Sequence, residues 1–181
     1  MRTAAIVLTT VTILACGKDT LPGTSKTPDA TLSVHQKWAK AIVDAESVVL
    51  YEGLPHQGYD HKALEKDLKE KKTVRIHEFP FYAETLPLKE NEATELKRLA
   101  SDSDSYKLEG GRSKCGGFHP DYCIEWKKGD ETYHVLVCFS CGEVKFFGPK
   151  IELYRESDDV RGGLGAILRP HRKNRTSWKR P

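Results

Sequence analysis

The chain has 181 residues, 38% of them hydrophobic and 30% charged, a balance that fits one domain with polar ends and not a multidomain assembly. The formal charge of +3 is unevenly placed. Six basic residues (Arg169, Arg172, Lys173, Arg175, Lys179 and Arg180) crowd the last thirteen positions, and residues 16–168 carry −4. That argues against a nucleic-acid-binding fold, which would hold its positive charge on the folded surface.

Arg2 is followed by an apolar and threonine-containing run from Ala4 to Ala15. Its dozen residues fall short of the about 20 needed to span a bilayer, but suit the apolar region of an export signal. The run ends Ile13-Leu14-Ala15-Cys16, which resembles the lipobox of bacterial lipoproteins. The resemblance implies removal of residues 1–15 and transfer of a diacylglycerol to the Cys16 thiol. The amine of Cys16 would then be acylated too, giving an anchor stronger than one chain provides. The expected location is the bacterial cell envelope, with the membrane as partner. Gly17, where an aspartate would favour inner-membrane retention in enteric-type lipoproteins, points toward the outer membrane or surface. Residues 16–30, rich in Gly, Pro, Thr and Ser, read as a flexible tether.

Residues 31–168 read as one α+β domain, an antiparallel sheet of about five strands with two or three helices on one face. Leu32 to Ala45 has helical spacing; Ser47 to Tyr51 reads as a strand. His56 and His61 follow in a loop and read as solvated. Asp60 is placed to cap a helix reaching about Lys72, with Glu65–Lys69 and Asp67–Lys71 as i,i+4 pairs. Thr73 to Phe79 alternates like a single strand, closed or put at a sheet edge by Pro80, with His77 on its surface. A helix from about Lys89 to Ala100 and a short strand around Tyr106-Lys107-Leu108 complete the first half.

The stretch 115–147 carries the most unusual chemistry. Two strand-like runs, Asp121–Lys127 and Thr132–Phe139, flank Gly129-Asp130, a dipeptide suited to a two-residue hairpin turn. Centring the turn there places Trp126 opposite Tyr133, Ile124 opposite Val135, and Tyr122 opposite Val137. The other face then carries Asp121, Cys123, Glu125, His134, Leu136 and Cys138, with Cys123 a diagonal neighbour of Cys138. The sulfur atoms are expected to gather there, away from the large rings. Cys138-Phe139-Ser140-Cys141-Gly142 resembles the knuckle of zinc ribbons, which implies half of a tetrahedral zinc site. The other half would come from Cys115, His119 and Cys123, spaced C-x3-H-x3-C. Disulfides suit an exported chain, and four cysteines allow three pairings. Thiol-redox chemistry lacks the helix amino terminus that would lower a thiol pKa, since Val144–Phe147 reads as a strand. Disulfide, metal and free thiol all remain open for Cys115, Cys123, Cys138 and Cys141. His119-Pro120-Asp121 matches the tripeptide of J-domain chaperones, but it starts a strand here, and the match is read as coincidence. The order Cys–FHPDY–strand–C-F-x-C–strand resembles uncharacterised bacterial lipoproteins and exported proteins, which implies no activity.

Ile151 to Leu168 includes a candidate last helix broken by Gly162, Gly163 and Gly165. Residues 169–181 read as a disordered basic tail that could contact an anionic surface. The expected function is a membrane-anchored, non-catalytic envelope lipoprotein with a structural cysteine cluster; the alternative is a metal-binding or thiol-redox protein, with zinc as the only cofactor considered.

Overall fold

The computed structural model describes residues 28–107 and 117–175. The fold is α+β. In chain order it runs α1 (Pro28–Val43), β1 (Ser47–Gly53), α2 (His61–Glu70), β2 (Thr73–Ile76), β3 (Phe79–Leu86), α3 (Glu90–Ser101), β4 (Tyr122–Lys128), β5 (Glu131–Cys138), β6 (Glu143–Gly148), β7 (Ile151–Glu156) and α4 (Gly163–Leu168), with short 3-10 turns between and after them. The strands form one antiparallel sheet in the order β2-β3-β1-β4-β5-β6-β7. No described helix is long and apolar enough to cross a membrane. The expected Cys16 lipidation site, residues 17–27 of the expected tether, Cys115 and residues 176–181 of the expected tail lie outside the described residues, while residues 28–30, also expected in the tether, open α1.

One face of the sheet carries the main core. Trp38 and Ile42 of α1, Leu96 and Leu99 of α3, and Leu164 and Leu168 of α4 close over Leu50, Ile124, Trp126, Val135, Val137, Val144 and Phe146. The central hairpin has the register read from its turn: Trp126 faces Tyr133, Ile124 faces Val135, and Tyr122 faces Val137. Gly129 supplies the positive φ, 55°, that such a turn demands. Alternation then sends the large rings to the helix side, where Trp38 and Trp126 meet edge to face and the Trp38 indole N–H donates to the Phe147 carbonyl.

The sheet has seven strands, not five. Thr73–Phe79 is not one strand. The chain reverses at His77-Glu78 and returns as β3, with Arg75 opposite Pro80 and Ile76 opposite Phe79. Pro80 therefore sits inside a strand instead of ending one. Ile151–Glu156 is β7, paired along its length with β6, and the last helix is confined to Gly163–Leu168. Of the short strand expected at Tyr106-Lys107-Leu108, the described residues show a bridge from Lys107 to Glu156, and Leu108 lies outside them. Of the four described helices, α1, α3 and α4 share the main core, while α2 lies apart from it.

The sheet folds back on itself. Strands β2 and β6 stand first and sixth in order, and five inter-strand steps would put them about 24 Å apart if flat. Instead the ring of His77, just past β2, stacks on Phe147 of β6 with centroids 3.6 Å apart. This closure builds a second apolar cluster on the side away from the helices, from Ile76, Phe81, Cys123, Leu136 and Phe147.

Candidate functional site

The candidate site lies at the end of the central hairpin, where β5 turns into β6. Cys138 closes β5 and Gly142, at φ 75°, lets the chain reverse. The Gly142 N–H donates to the Cys138 carbonyl, and Ser157 N–H, arriving from the end of β7, donates to the Gly142 carbonyl. Cys138 and Cys141 pack together with Phe118 as a small cluster of their own. Cys138 is fully buried, its sulfur 3.3 Å from the Ser140 hydroxyl.

The three described cysteines of the domain do not gather as one group: Cys138 and Cys141 pack together, and Cys123 lies elsewhere. Cys123 and Cys138 are free thiols. Cys141 is not a free thiol. Cys123 lies in the second apolar cluster, packed with Ile76, Phe81, Leu136 and Phe147. It was expected to serve a bridge or a metal because its face looked polar. The correction follows from closure of the sheet: β2 and β3 cover that face, so Cys123 acts there as a small apolar filler.

Both free thiols are poor nucleophiles. Burial, followed by the nearby Glu125 carboxylate, pushes the Cys123 pKa well up. Burial also raises that of Cys138, against the opposing pull of the Ser140 hydroxyl and the His119 backbone N–H. Thiolate is the reactive form, so neither position favours exchange chemistry. No three His, Cys, Asp or Glu side chains among the described residues converge as a metal site.

His119 does reach this end of the sheet, within a polar patch that sequence reasoning missed. Its ring lies 4.6 Å from that of His56. Burial first, then the charge of Arg175 and the neighbouring His56, bring the His119 pKa down to about 4. Asp121, two residues on, accepts the Phe139 backbone N–H at 2.7 Å and the Arg175 guanidinium at 2.5 Å. That ion pair is largely withdrawn from solvent, its side chains 12% and 10% exposed.

Arg175 belongs to the segment expected to be a disordered tail. For residues 169–175 that expectation is corrected: they form a strap bound to the domain. Arg169 to His171 is a 3-10 turn, with the Arg169 guanidinium over Phe139. Lys173 pairs with Glu84. The backbone N–H groups of Lys173, Asn174 and Arg175 all donate to the carboxylate of Glu52, at 3.2, 2.8 and 3.0 Å, and the Asn174 side chain adds a fourth bond. Glu52 is 1% exposed, so the strap supplies the donors that a buried carboxylate requires. Arg175 also donates to the carbonyls of Gly53 and Leu54. Gly53 is obligatory here, because a Cβ would lie 2.0 Å from the Pro120 carbonyl oxygen.

The only hint of this arrangement in the sequence was Asp121 beside His119; nothing near Glu52 or Arg175 pairs them across more than a hundred residues. His61, in contrast, stays on α2 and lies 3.8 Å from Glu65. Comparison with family models, curated proteins and solved structures found no match to this chain.

Proposed function

We propose that this chain is a non-catalytic lipoprotein of the bacterial cell envelope, tethered through lipidated Cys16, whose cysteine cluster stabilises the folded domain. The reading rests on the lipobox-like order Ile13-Leu14-Ala15-Cys16 and, for the cluster, on the state of the described sulfur atoms. Two are buried, free and hard to ionise, and the third, Cys141, is not a free thiol, which supports reading it as the bridged one. If lipid occupies the Cys16 thiol, Cys115 is the one cysteine left to bridge Cys141. Such a bridge would close the loop between β4 and the segment before it onto the β5–β6 turn. A buried, poorly ionised Cys138 supports this structural role over thiol exchange.

Two measurements test the proposal. Labelled palmitate should enter the wild-type chain and not Cys16→Ser; label retained by that variant rejects the anchor. Intact mass of envelope-purified protein should show one reducible bridge and no chelator-sensitive ion at Cys141. Two thiols should become alkylatable only after denaturation. Rapid alkylation of Cys138 in the native state would support the thiol-redox reading instead.

A further inference from the structure

The register of the sheet lays a row of side chains across its non-helical side. Glu125 of β4 stands opposite His134 of β5, His134 opposite Phe147 of β6, and Phe147 opposite Glu152 of β7. Closure of the sheet brings His77 onto this row. Its Nε2 lies 3.2 Å from Nδ1 of His134, while Nε2 of His134 lies 3.1 Å from the Glu125 carboxylate.

We propose that His77 and His134 form a two-histidine site for a borderline-soft divalent transition ion such as zinc, nickel or copper, with Glu125 orienting His134 from behind.

Three observations carry it. The first is spacing. Two imidazole nitrogens bound to one ion at about 2.0–2.1 Å and a tetrahedral angle lie about 3.3–3.4 Å apart. The two nitrogens here are already 3.2 Å apart, so an ion seated to one side of the line between them needs the rings to tilt toward it and not to be brought closer together. The second is the carboxylate. A metal-bound histidine characteristically donates its other ring N–H to a carboxylate or carbonyl, which fixes the tautomer. Donation from His134 Nε2 to Glu125 leaves the Nδ1 lone pair facing His77. Both partners are held firmly, with side chains 13% and 12% exposed.

The third is the backbone at His77. It occupies the first place of a two-residue turn with φ 56°, in the left-handed region that favours glycine or asparagine. The turn's geometry does not call for an imidazole. The ring is nonetheless held in place, stacked on Phe147 and directed at His134.

The proton balance is simple. Free His77 can donate from Nε2 to His134; to ligate, it carries its proton on Nδ1 instead, and the proton moves between the two ring nitrogens through solvent at this exposed position. No proton need be lost overall. With two protein ligands, water fills the remaining positions, which implies weak to moderate affinity and an ion open to solvent. Imidazole donors select zinc, nickel or copper over calcium or magnesium. This site is separate from the cysteine end of the hairpin and does not depend on the proposed function.

The test is calorimetric titration of the chelator-treated full chain with zinc, nickel and calcium salts. One zinc or nickel ion should bind per chain, and calcium should not. His134→Ala should weaken binding at least tenfold. So should His77→Gly, which removes a ligand while placing the residue best suited to the turn, so that a loss of binding is not a loss of fold. Glu125→Gln should weaken binding less than either histidine change. Absence of binding overturns the site, as does binding that survives both histidine substitutions, or binding abolished instead by His56→Ala or His119→Ala.

Discussion

Arg175 and Asp121 form the most withdrawn ion pair described in the chain, and each has further partners: Arg175 reaches two backbone carbonyls, and Asp121 accepts the Phe139 N–H. Removing one member of such a pair leaves the other charge buried without its counterpart, typically costing about 3–5 kcal/mol. Arg175→Met should therefore lower the unfolding free energy by roughly 3 kcal/mol, read from the urea midpoint. The double variant Arg175→Met/Asp121→Asn should cost less than the two single changes added, because the second removes the stranded charge. Cys123 follows a different logic. Its neighbours are the side chains of Ile76, Phe81, Leu136 and Phe147, which offer no hydrogen bond. Cys123→Ser exchanges a soft, weakly polar group for a hydroxyl in that setting and should cost about 1–3 kcal/mol, whereas Cys123→Ala forfeits only contacts. Chemical denaturation of the three proteins side by side checks the order.

The strap provides the corresponding case among elements. It touches α3 through His171 and Glu92, β3 through Lys173 and Glu84, and the end of β1 through Glu52. A chain stopped after Leu168 loses all four donors to Glu52, together with the Arg175 pair, and should be several kcal/mol less stable or fail to accumulate. A chain stopped after Arg175 keeps every one of these bonds and should melt like the full chain. Thermal melts of the two truncations separate a bound strap from a solvated tail. The strap was invisible in the sequence because six basic residues within thirteen positions have the composition of a solvated segment, and a buried glutamate more than a hundred residues earlier leaves no periodic signal. By contrast, the β4–β5 hairpin was legible to the residue, since Gly129-Asp130 pins the turn and period-2 alternation fixes both faces. The β2–β3 hairpin was not, because its turn is His77-Glu78, without the glycine or asparagine that marks such turns, and because proline more often ends a strand than enters one. At β7, Ile151 and Leu153 alternate as a strand should, but the glycines that follow drew the whole segment toward a broken helix. The second apolar cluster, and so the role of Cys123, was out of reach for a related reason. Alternation names the face a residue occupies, but only tertiary closure decides what covers it.

At the scale of the whole molecule, closure on both sides of the sheet leaves several histidines wholly or partly withdrawn from water, and this sets how the fold responds to acid. His35 lies under α1 against Trp38, Tyr106 and Phe146, with neither ring nitrogen in a well-formed hydrogen bond. Burial lowers its pKa; Arg155 lowers it further, while Asp102 and a backbone contact to Ala100 act the other way. His56 is lowered chiefly by burial, and His119 falls to about 4. A folded-state pKa below the unfolded value of 6.5 means that the unfolded chain binds more protons in the interval between them. Stability then rises with pH across that interval, by about 1.4 kcal/mol per pH unit for each group fully engaged. The contribution is complete above pH 6.5 and declines as the pH falls toward 4. The carboxylates held low by partners, Glu92 by the Lys89 backbone N–H and Glu95 by Arg98, act only below their ordinary value of 4.5. They cannot produce a loss near pH 6. The urea midpoint should therefore drop between pH 7 and pH 5, with net proton uptake on unfolding across that range. His35→Phe fills the same aromatic surroundings without a titratable ring, so it should raise stability more at pH 5 than at pH 7. An equal change at both pH values would remove His35 from the acid response and leave His56, His119, His77 and His134, each lowered chiefly by burial, to account for it.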